Sequence, residues 1–480
     1  MGNSPRTSSI HVLDDDSLLH VFYLYRPPFL AESEDDKDRF WGGTGLWVRG
    51  RGGHWWYTLA RVCQRWRNVL FRSASYLELS LCCTFGTPVA DMVAHSLPLP
   101  LVIDYFDKSS MAAEDEEGAI FAFKQHSRVR RVRLWLPVTS LQKFIVAIDE
   151  EYPILDYLVI DFPPTDKSTI LRLPETFQAP HLRHLRLRGF TLPIGTRLLT
   201  TAVGLVTLNL IMVHPSTYFH PNTLLQWISF MPQLETLAIY FHFPIPNRDI
   251  ERQLTHTPII AAVTLPNLHF FQFDGDNTYL EALVHRITAP RLEKLEIAFF
   301  NLLTFSIPLL VQFMNTTENL RFESARFEFF NSGFNVHGYP RAEAKMHTLN
   351  VTVVCWQLDW QVSSVAQISN SLSQIFSAVE HLTLVHEVHS RSSEEHNEVD
   401  RTEWRKLFRP FDHLKTLRIS NGLVGDLARC LQSEDGELPL ELLPELQELR
   451  YSGSGDTGDV FASFIDTRQD AGSPVTLVRQ

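Results

Sequence analysis

Two histidines and a glutamate lie close enough together in this sequence to suggest a metal site. His386 and His389, with Glu387 between them, could grip a metal ion from a helix. They follow a strand-like segment, however, and run into the polar stretch Ser390–Glu398, which is typical of a solvated loop. We therefore predict no metal site here.

Glycine clusters could serve chemistry by cradling phosphate groups. Gly42-Gly43-Thr44-Gly45 and Gly453-Ser454-Gly455 lack a following lysine and a clean strand-to-helix frame, so we interpret both as loops. The sequence has no serine-hydrolase, zinc-protease or P-loop motif, and no spacing of its acidic pairs isolates a general acid and base. We expect a protein that is not an enzyme and that uses no cofactor.

Two tryptophans raise the question of a binding anchor. Trp356 and Trp360 are four residues apart and could form an exposed aromatic anchor for a partner. Packing of both rings in the core is the interpretation that we favour.

Composition bounds the class of protein. The chain has 480 residues, of which 44% are apolar and 20% charged, so it is globular and can bury a large core. The 43 Lys+Arg and 55 Asp+Glu residues give a net charge of −12. An acidic chain is a poor candidate for binding nucleic acid. The short basic run Arg128, Arg130, Arg131 and Arg133 alternates with valines, as the outer face of a strand does.

Cysteine usage and apolar runs indicate the compartment. The five cysteines include the adjacent pair Cys82 and Cys83 and form no disulfide framework or metal clip, which favours a reducing compartment. The N-terminus has no apolar secretion segment, and no stretch approaches 18 apolar residues. We expect a cytoplasmic or nuclear protein without a membrane span.

A six-residue pattern, apolar-x-x-apolar-x-apolar, returns through most of the chain and must build whatever positions a binding site. A weaker copy at Phe322 fills the gap between the copies at Leu292 and Met346. The clear copies begin at Val129, Leu155, Leu182, Leu205, Leu234, Leu268, Leu292, Met346, Val379, Leu414 and Leu446. The alternation that ends each copy predicts a short half-buried strand.

The segments between the copies predict helices. Asn222–Met231 is one example. In six copies a proline, such as Pro180, stands two residues ahead of the first apolar position, where it stops a helix and opens an extended segment. One strand and one helix cannot bury an apolar face alone, so the units must stack into a parallel sheet with helices on its convex side.

This pattern resembles the leucine-rich repeat family from about Leu77 to Tyr451. The units are longer and more uneven than the regular repeat. The expected asparagine or cysteine is replaced by Phe190, Val213, His242 and Phe300. The resemblance implies a curved α/β solenoid, here with an irregular arc. Residues that flank the inward apolar pair would then form a possible substrate face: Arg186, Arg188, Asn209, Tyr240, Gln272, Asp274, Glu296 and Arg418. A solvated face without a partner is the other interpretation.

Residues 10–70 do not follow the repeat and predict two helices. Asp14 to Ser17 can begin the first helix, and about Tyr57–Leu70 forms the second, with Leu59, Val62, Cys63, Trp66 and Val69 on one stripe. A polar, glycine-rich insert lies between them.

The strings Ile10–Phe22 and Val62–Val69, followed by Cys83-Thr84-Phe85-Gly86-Thr87-Pro88, resemble the F-box proteins abundant in mushroom-forming fungi. Asp14 stands where that family usually has proline. The resemblance implies an F-box that binds a Skp-type adaptor of a cullin ubiquitin ligase, while the repeats bind an unknown protein substrate. The residues implied for the adaptor-binding and core surface are Leu13, Leu18, Leu19, Phe22, Val62, Cys63 and Trp66. Packing of the two helices on the first repeats is the alternative role for these residues.

We expect three parts in the chain. They are a helical F-box-like module over 8–72 with an insert at about 26–56, an irregular leucine-rich-repeat domain over 73–455, and a frayed C-terminal tail over 456–480. The expected function is that of a substrate-recognition adaptor. A non-ligase interaction scaffold with a degenerate F-box is the alternative.

Overall fold

The computed structural model describes residues 13–26, 55–106, 112–148, 150–162, 171–193, 195–213, 219–242, 262–300, 306–387, 399–420, 422–432, 441–452 and 460–479. These residues form two compact units. Unit 1 runs to Leu185 and includes Gly195–Ala202, and unit 2 comprises Arg186–Ile194 and Val203–Gln480. Both units combine helices with a largely parallel sheet, which confirms the predicted α/β class.

Unit 1 begins with three helices and continues with alternating strands and helices. Its helices are α1 (Asp15–Tyr25), α2 (Trp55–Ala60), α3 (Gln64–Arg72), α4 (Val89–His95), α5 (Ala113–Phe123), α6 (Val138–Ala147) and α7 (Arg197–Thr201). Its strands are β1 (Leu81–Cys83), β2 (Leu101–Phe106), β3 (Val129–Trp135), β4 (Tyr157–Asp161), β5 (Leu171–Arg172) and the start of β6 (His184–Arg188). Strands β1 to β4 pair in chain order and are all parallel.

Unit 2 holds the larger set of elements. Its helices are α8 (Pro221–Ser229), α9 (Asn277–Val284), α10 (Pro308–Asn315), α11 (Leu358–Ser371), α12 (Ser373–Phe376), α13 (Arg401–Phe408), α14 (Val424–Leu431) and α15 (Ala462–Asp470). Its strands are β7 (Phe190–Thr191), β8 (Thr207–Val213), β9 (Thr236–Phe241), β10 (Val263–Thr264), β11 (Phe270–Gly275), β12 (Ile287–Thr288), β13 (Lys294–Phe299), β14 (Ser324–Phe330), β15 (Gly333–Tyr339), β16 (Leu349–Val354), β17 (His381–Glu387), β18 (Thr416–Ile419), β19 (Glu448–Tyr451) and β20 (Thr476–Arg479).

Every copy of the six-residue pattern supplies a strand. The copies correspond to β3, β4, β6, β8, β9, β11, β13, β14, β16, β17, β18 and β19. Equivalent positions face one another across neighbouring strands. Leu237 of β9 lies opposite Leu208 and Phe271, and all three side chains are fully buried. The pattern therefore predicted both the strands and their core-facing side.

The six prolines ahead of the strands lie in tight turns rather than in extended segments. The backbone N–H of Leu182 donates to the carbonyl of Ala179 at 3.1 Å, around Pro180, and the same bond recurs at the other five prolines. Proline therefore occupies the second position of a β-turn, where its fixed φ is favourable.

The middle of unit 2 departs from chain order. The strands lie in the order β13–β16–β15–β14–β17; β15 is antiparallel to both neighbours, and the remaining pairs are parallel. The order of the copies along the sequence predicted that the Phe322 copy lies between the copies at Leu292 and Met346. In the structure it does not. It lies beyond the Met346 copy, beside the Val379 copy. We call Ser324–Val354 the reversed segment.

A close backbone approach holds the reversed segment together. Strand β15 follows β14 after only Asn331 and Ser332. Gly333 then lies so close to β16 that an added Cβ would sit 2.2 Å from the carbonyl oxygen of Val353. Only glycine fits this position without displacing the neighbouring strand.

The second predicted N-terminal helix is two helices. The helix is interrupted at residues 61–63. The sulfur of Cys63 then accepts a hydrogen bond from the N–H of Trp66 at 3.5 Å and so caps the start of α3. Since Val62 lies in this break, it is 55% exposed rather than part of the buried stripe. Most of the predicted insert, residues 27–54, lies outside the described residues, as do Ile10, His11 and Val12.

The C-terminal segment is not frayed over residues 460–479. It supplies α15 and then β20, which pairs in parallel with β19. Arg468 of α15 is fully buried and donates to the carbonyls of Leu443, Pro444 and Leu446 at 3.0–3.1 Å. These bonds fasten the last helix to the turn that precedes β19.

Among the residues with described positions, no helix is both long and apolar enough to cross a membrane.

Candidate functional site

The candidate site lies on the open face of the unit 2 sheet, which is the face opposite the buried leucine positions. Side chains alternate along a strand, so the residues between the buried pairs point to this face. The predicted face residues Arg186, Arg188, Asn209, Tyr240, Gln272, Asp274 and Glu296 are half-buried, and Arg418 is exposed.

Strand register sorts the predicted face residues into neighbours and outliers. Gln272 lies opposite Glu296, and Asp274 lies opposite Tyr240, so these four residues form one cluster. Arg418 lies opposite Thr383 and Arg450 on strands beyond the reversed segment, so it does not belong to the cluster.

Register also defines a six-position grid around Ala298. One row is Gln272, Glu296 and Asn350, and the next is Asp274, Ala298 and Thr352, each read across β11, β13 and β16. Ala298 is the smallest side chain in this grid, so it projects less far from the sheet than its neighbours. We call the position above Ala298, between Asp274 and Thr352, the Ala298 hollow.

Asp274 is a strongly perturbed acid at the hollow. Burial, reinforced by the neighbouring Glu296 carboxylate, raises the pKa of Asp274 to about 8. Within the part of the chain that the structure describes, the Asp274 side chain makes no hydrogen bond or ion pair. Tyr240 is also affected, since burial and then Asp274 raise the pKa of its hydroxyl. A carboxyl group of this kind favours its neutral form until a cation arrives.

Glu296 has the opposite character because it is already paired. Its carboxylate lies 2.9 Å from the Lys294 ammonium and 3.2 Å from Nε2 of His347. Burial alone would raise the pKa of Glu296, but the bonds to His347 and Lys294 outweigh burial and leave this pKa below its usual value. Glu296 therefore stays ionised, whereas the neighbouring Asp274 favours its protonated form.

Two amide oxygens of the grid have no hydrogen-bond partner within the described part of the chain. Gln272 Oε1 and Asn350 Oδ1 are buried and lack a hydrogen-bond partner among the described residues, and so is Asn209 Oδ1 on β8. Buried polar atoms are usually satisfied by protein, water or a ligand. The hollow is thus rimmed by acceptors.

The polar residues of the reversed segment were not predicted from the sequence. His337 on β15 binds the Glu328 carboxylate at 3.3 Å, and Arg326 binds it at 2.6 Å. The bond from His337, aided by Arg326, lowers the pKa of Glu328 to about 2 against a smaller opposing effect of burial. Strand β15 carries no six-residue copy, so only the alternation of buried Phe334 and Val336 with polar residues could have revealed it.

The two predicted basic residues of β6 lie at the edge of this face. Arg188 donates from Nε to the sulfur of Met212 at 3.2 Å, and Arg186 lies close enough to Tyr240 to oppose the rise of its pKa. In unit 1, Arg130 and Arg131 both pair with Asp156, and Arg133 lies 3.6 Å from Asp104. Three of the four arginines of the basic run are therefore paired with carboxylates of unit 1, and Arg128 donates to the backbone carbonyls of Leu97 and Leu99.

The N-terminal helices divide the predicted adaptor residues into core and surface. Leu18 and Phe22 of α1 are fully buried, and the Phe22 ring meets the Trp66 ring edge-on at 5.0 Å. Leu13, Leu19, Cys63 and Trp66 are half-buried. Arg65 of α3 binds Asp15 at 2.9 Å, which fixes the start of α1 against α3.

The outer side of α1 was missed from sequence. Val21, Leu24 and Tyr25 are 44%, 69% and 56% exposed, and they stand at i, i+3 and i+4, so they form one apolar face. The sequence did not distinguish this face from a buried one, since an apolar residue gives the same pattern in a core and in an interface.

The other candidate residues that the structure describes do not gather into a site. Trp356 and Trp360 are 73% and 46% exposed, so the prediction that they pack in the core is wrong. His386 lies within β17 rather than in a loop, while His389 and both glycine clusters lie outside the described residues. Burial raises the pKa of the Cys82 thiol and raises that of the Cys83 thiol to about 12, so both are poor nucleophiles.

One group of metal-type ligands occurs on the surface. Glu323, Glu380 and His381 bring their ligand atoms within 4.8 Å of one another. The Glu380 carboxylate already binds the Lys415 ammonium at 2.6 Å, so this group has a protein cation as its partner.

No protein-family model and no curated protein matches the sequence. Among solved structures, the chain is distantly similar to the leucine-rich repeat-containing protein LegL7 from Legionella pneumophila. The identity is 9% and the TM-score 0.25, over 80% of this chain and 97% of that one. The repeat described above is established by this chain's own strands and registers.

Proposed function

We propose that this protein is the substrate-recognition adaptor of a cullin-type ubiquitin ligase, with an F-box that binds a Skp-type adaptor and leucine-rich repeats that bind a protein substrate. Such a subunit catalyses nothing itself; it raises the effective concentration of substrate lysines near the ubiquitin-charged enzyme.

The observation that carries the proposal is the exposed apolar face of α1, formed by Val21, Leu24 and Tyr25. Apolar side chains that leave water when a partner docks contribute most of the affinity of an interface. The buried Leu18 and Phe22 hold α1 in place, while the exposed face is available to the adaptor. Asp14, which replaces the family's proline, accepts a bond from the N–H of Ser17 at 2.7 Å and so still caps this helix.

A pull-down with the Skp-type adaptor of the same organism tests the proposal. We expect Leu24→Asp to lose at least about tenfold in capture, because a charge would be buried in the interface without a partner. Val146→Asp is the matched control, since Val146 is an 80% exposed valine on α6, away from the N-terminal helices. Thermal unfolding of each variant checks the fold.

Two results would overturn the ligase proposal. One is a folded wild-type chain that captures no adaptor, and the other is equal loss in Leu24→Asp and Val146→Asp. Either result favours the second candidate, an interaction scaffold with a degenerate F-box, for which Asp14 in place of proline is the specific observation.

A further inference from the structure

We propose that the Ala298 hollow binds the cationic end of a lysine or arginine side chain from a protein partner. This inference rests on the proposed function, since it names the chemistry by which the repeats recognise a substrate.

Geometry makes room for such a group. Neighbouring strands lie about 4.8 Å apart, so Asp274 and Thr352, on either side of Ala298, are separated by roughly 10 Å at the backbone. The Ala298 side chain fills little of that space. The opening therefore suits the end of one long side chain rather than a whole strand or ring system.

Among the residues that the structure describes, the rim of the hollow offers acceptors and no free cation. Asp274 is unpaired among the described residues, and Gln272 and Asn350 each present a buried oxygen without a donor. The cations nearby are engaged, since Lys294 and His347 both bind Glu296. An ammonium or guanidinium group would satisfy the orphaned oxygens and pair with Asp274.

Charge on the surrounding strands sets how binding depends on pH. The groups that face Asp274 are Tyr240 on β9 and Glu296 on β13, with Lys294 and His347 acting through Glu296 and Arg186 acting beside Tyr240. Because Asp274 retains its proton up to about pH 8, a cation must displace that proton on binding. Below pH 8, the affinity for the cation should therefore increase about tenfold for each unit by which the pH is raised.

Fluorescence polarisation with synthetic decapeptides tests the proposal. The probes alternate glycine with lysine, with arginine, or with uncharged norleucine, and salt is held at about 150 mM to screen diffuse attraction. We expect the wild-type chain to bind the lysine or the arginine peptide but not the norleucine peptide, with about tenfold tighter binding at pH 7 than at pH 6. The stronger of the two basic peptides identifies the cation.

Two variants and one control locate the binding. Asp274→Asn should lose at least about tenfold in affinity together with the pH dependence, and Ala298→Leu should lose a similar amount by filling the hollow. Asp412→Asn removes one exposed carboxylate away from the hollow and should bind like wild type. Thermal unfolding confirms that each variant folds.

Equal losses in Asp274→Asn and Asp412→Asn, or unchanged binding in Asp274→Asn, would overturn the proposal. No adaptor is needed in this assay, whereas the pull-down with Leu24→Asp needs no basic peptide. Failure of the hollow and failure of the ligase role are therefore distinguishable.

Discussion

Two neighbouring parts of unit 2 use the same pattern in different ways. In the run β8–β9–β11–β13 each strand lies beside its predecessor and all are parallel. In the reversed segment the chain skips two positions to form β14 and then returns through the antiparallel strand β15 to β16, which lies beside β13. Equivalent residues stay in register in both parts: Ala325 and Phe327 lie opposite Leu382 and Leu384 as regularly as Leu237 lies opposite Phe271. The pattern thus sets which side of a strand is buried, and the connections set its place in the sheet.

The largest expected effect tests whether the two parts have equally tight cores. Phe271 and Phe327 are both fully buried, each with 0% accessible surface. We expect Phe271→Ala and Phe327→Ala each to lower the free energy of unfolding by about 3–5 kcal/mol, through lost burial and an unfilled cavity. Urea unfolding monitored by circular dichroism measures both. A loss below about 1 kcal/mol for Phe327→Ala alone would show that the reversed segment is loosely packed.

Replacing a glycine with alanine should have opposite effects on stability in the reversed segment and in an exposed helix. Gly333→Ala should cost about 1–3 kcal/mol, because the new methyl would collide with the Val353 carbonyl. Gly425→Ala is the control, since Gly425 is exposed in α14 with nothing within 4 Å, and alanine there should stabilise the helix by up to about 1 kcal/mol. A Gly333→Ala variant that is as stable as wild type would contradict the close approach of β15 and β16.

The smallest expected effects concern pH and have opposite signs in the two parts. The pKa of Glu328 is lowered from 4.5 to about 2, so its stabilising contribution is present above pH 4.5 and is lost as pH falls towards 2. The pKa of Asp274 is raised from 3.8 to about 8, so stability is full below pH 3.8 and is lost as pH rises through 8.

Neutral variants measure these two contributions. Relative to wild type, Glu328→Gln should destabilise the protein by about 1 kcal/mol at pH 7 and by less at pH 3. Asp274→Asn should stabilise it by about 1 kcal/mol or more at pH 8 and have little effect at pH 4. Melting temperatures across this range provide the check. Parallel pH profiles for the two variants would contradict the different surroundings of these carboxyl groups.

Sequence predicted most strands because its signal is local. Leu208, Leu237 and Phe271 are recognisable from spacing alone, since a half-buried strand needs apolar residues on one side. The helix predicted at Asn222–Met231 is present as Pro221–Ser229 for the same reason. The position of the Phe322 copy was not predictable in this way, because strand order depends on which edge is free when the chain returns.

The candidate site was predictable only in part. Asp274 and Glu296 were placed on the open face by alternation, but the missing partner of one and the pairing of the other depend on Lys294 and His347, which come from separate segments. On α1, the buried Leu18 was recognisable from spacing. The exposed Leu24 was not, since an apolar residue gives the same signal in a core and in an interface.

The reversed segment also affects how the chain can be completed during synthesis. A ribosome delivers residues in order, and strands of the regular run can be added to the sheet as they emerge. Strand β13 must wait, because its partner β16 is made only after β14 and β15. Until Leu349–Val354 leaves the ribosome, the nascent chain has an unpaired edge at β13, and an unpaired strand edge is open to pairing with other chains.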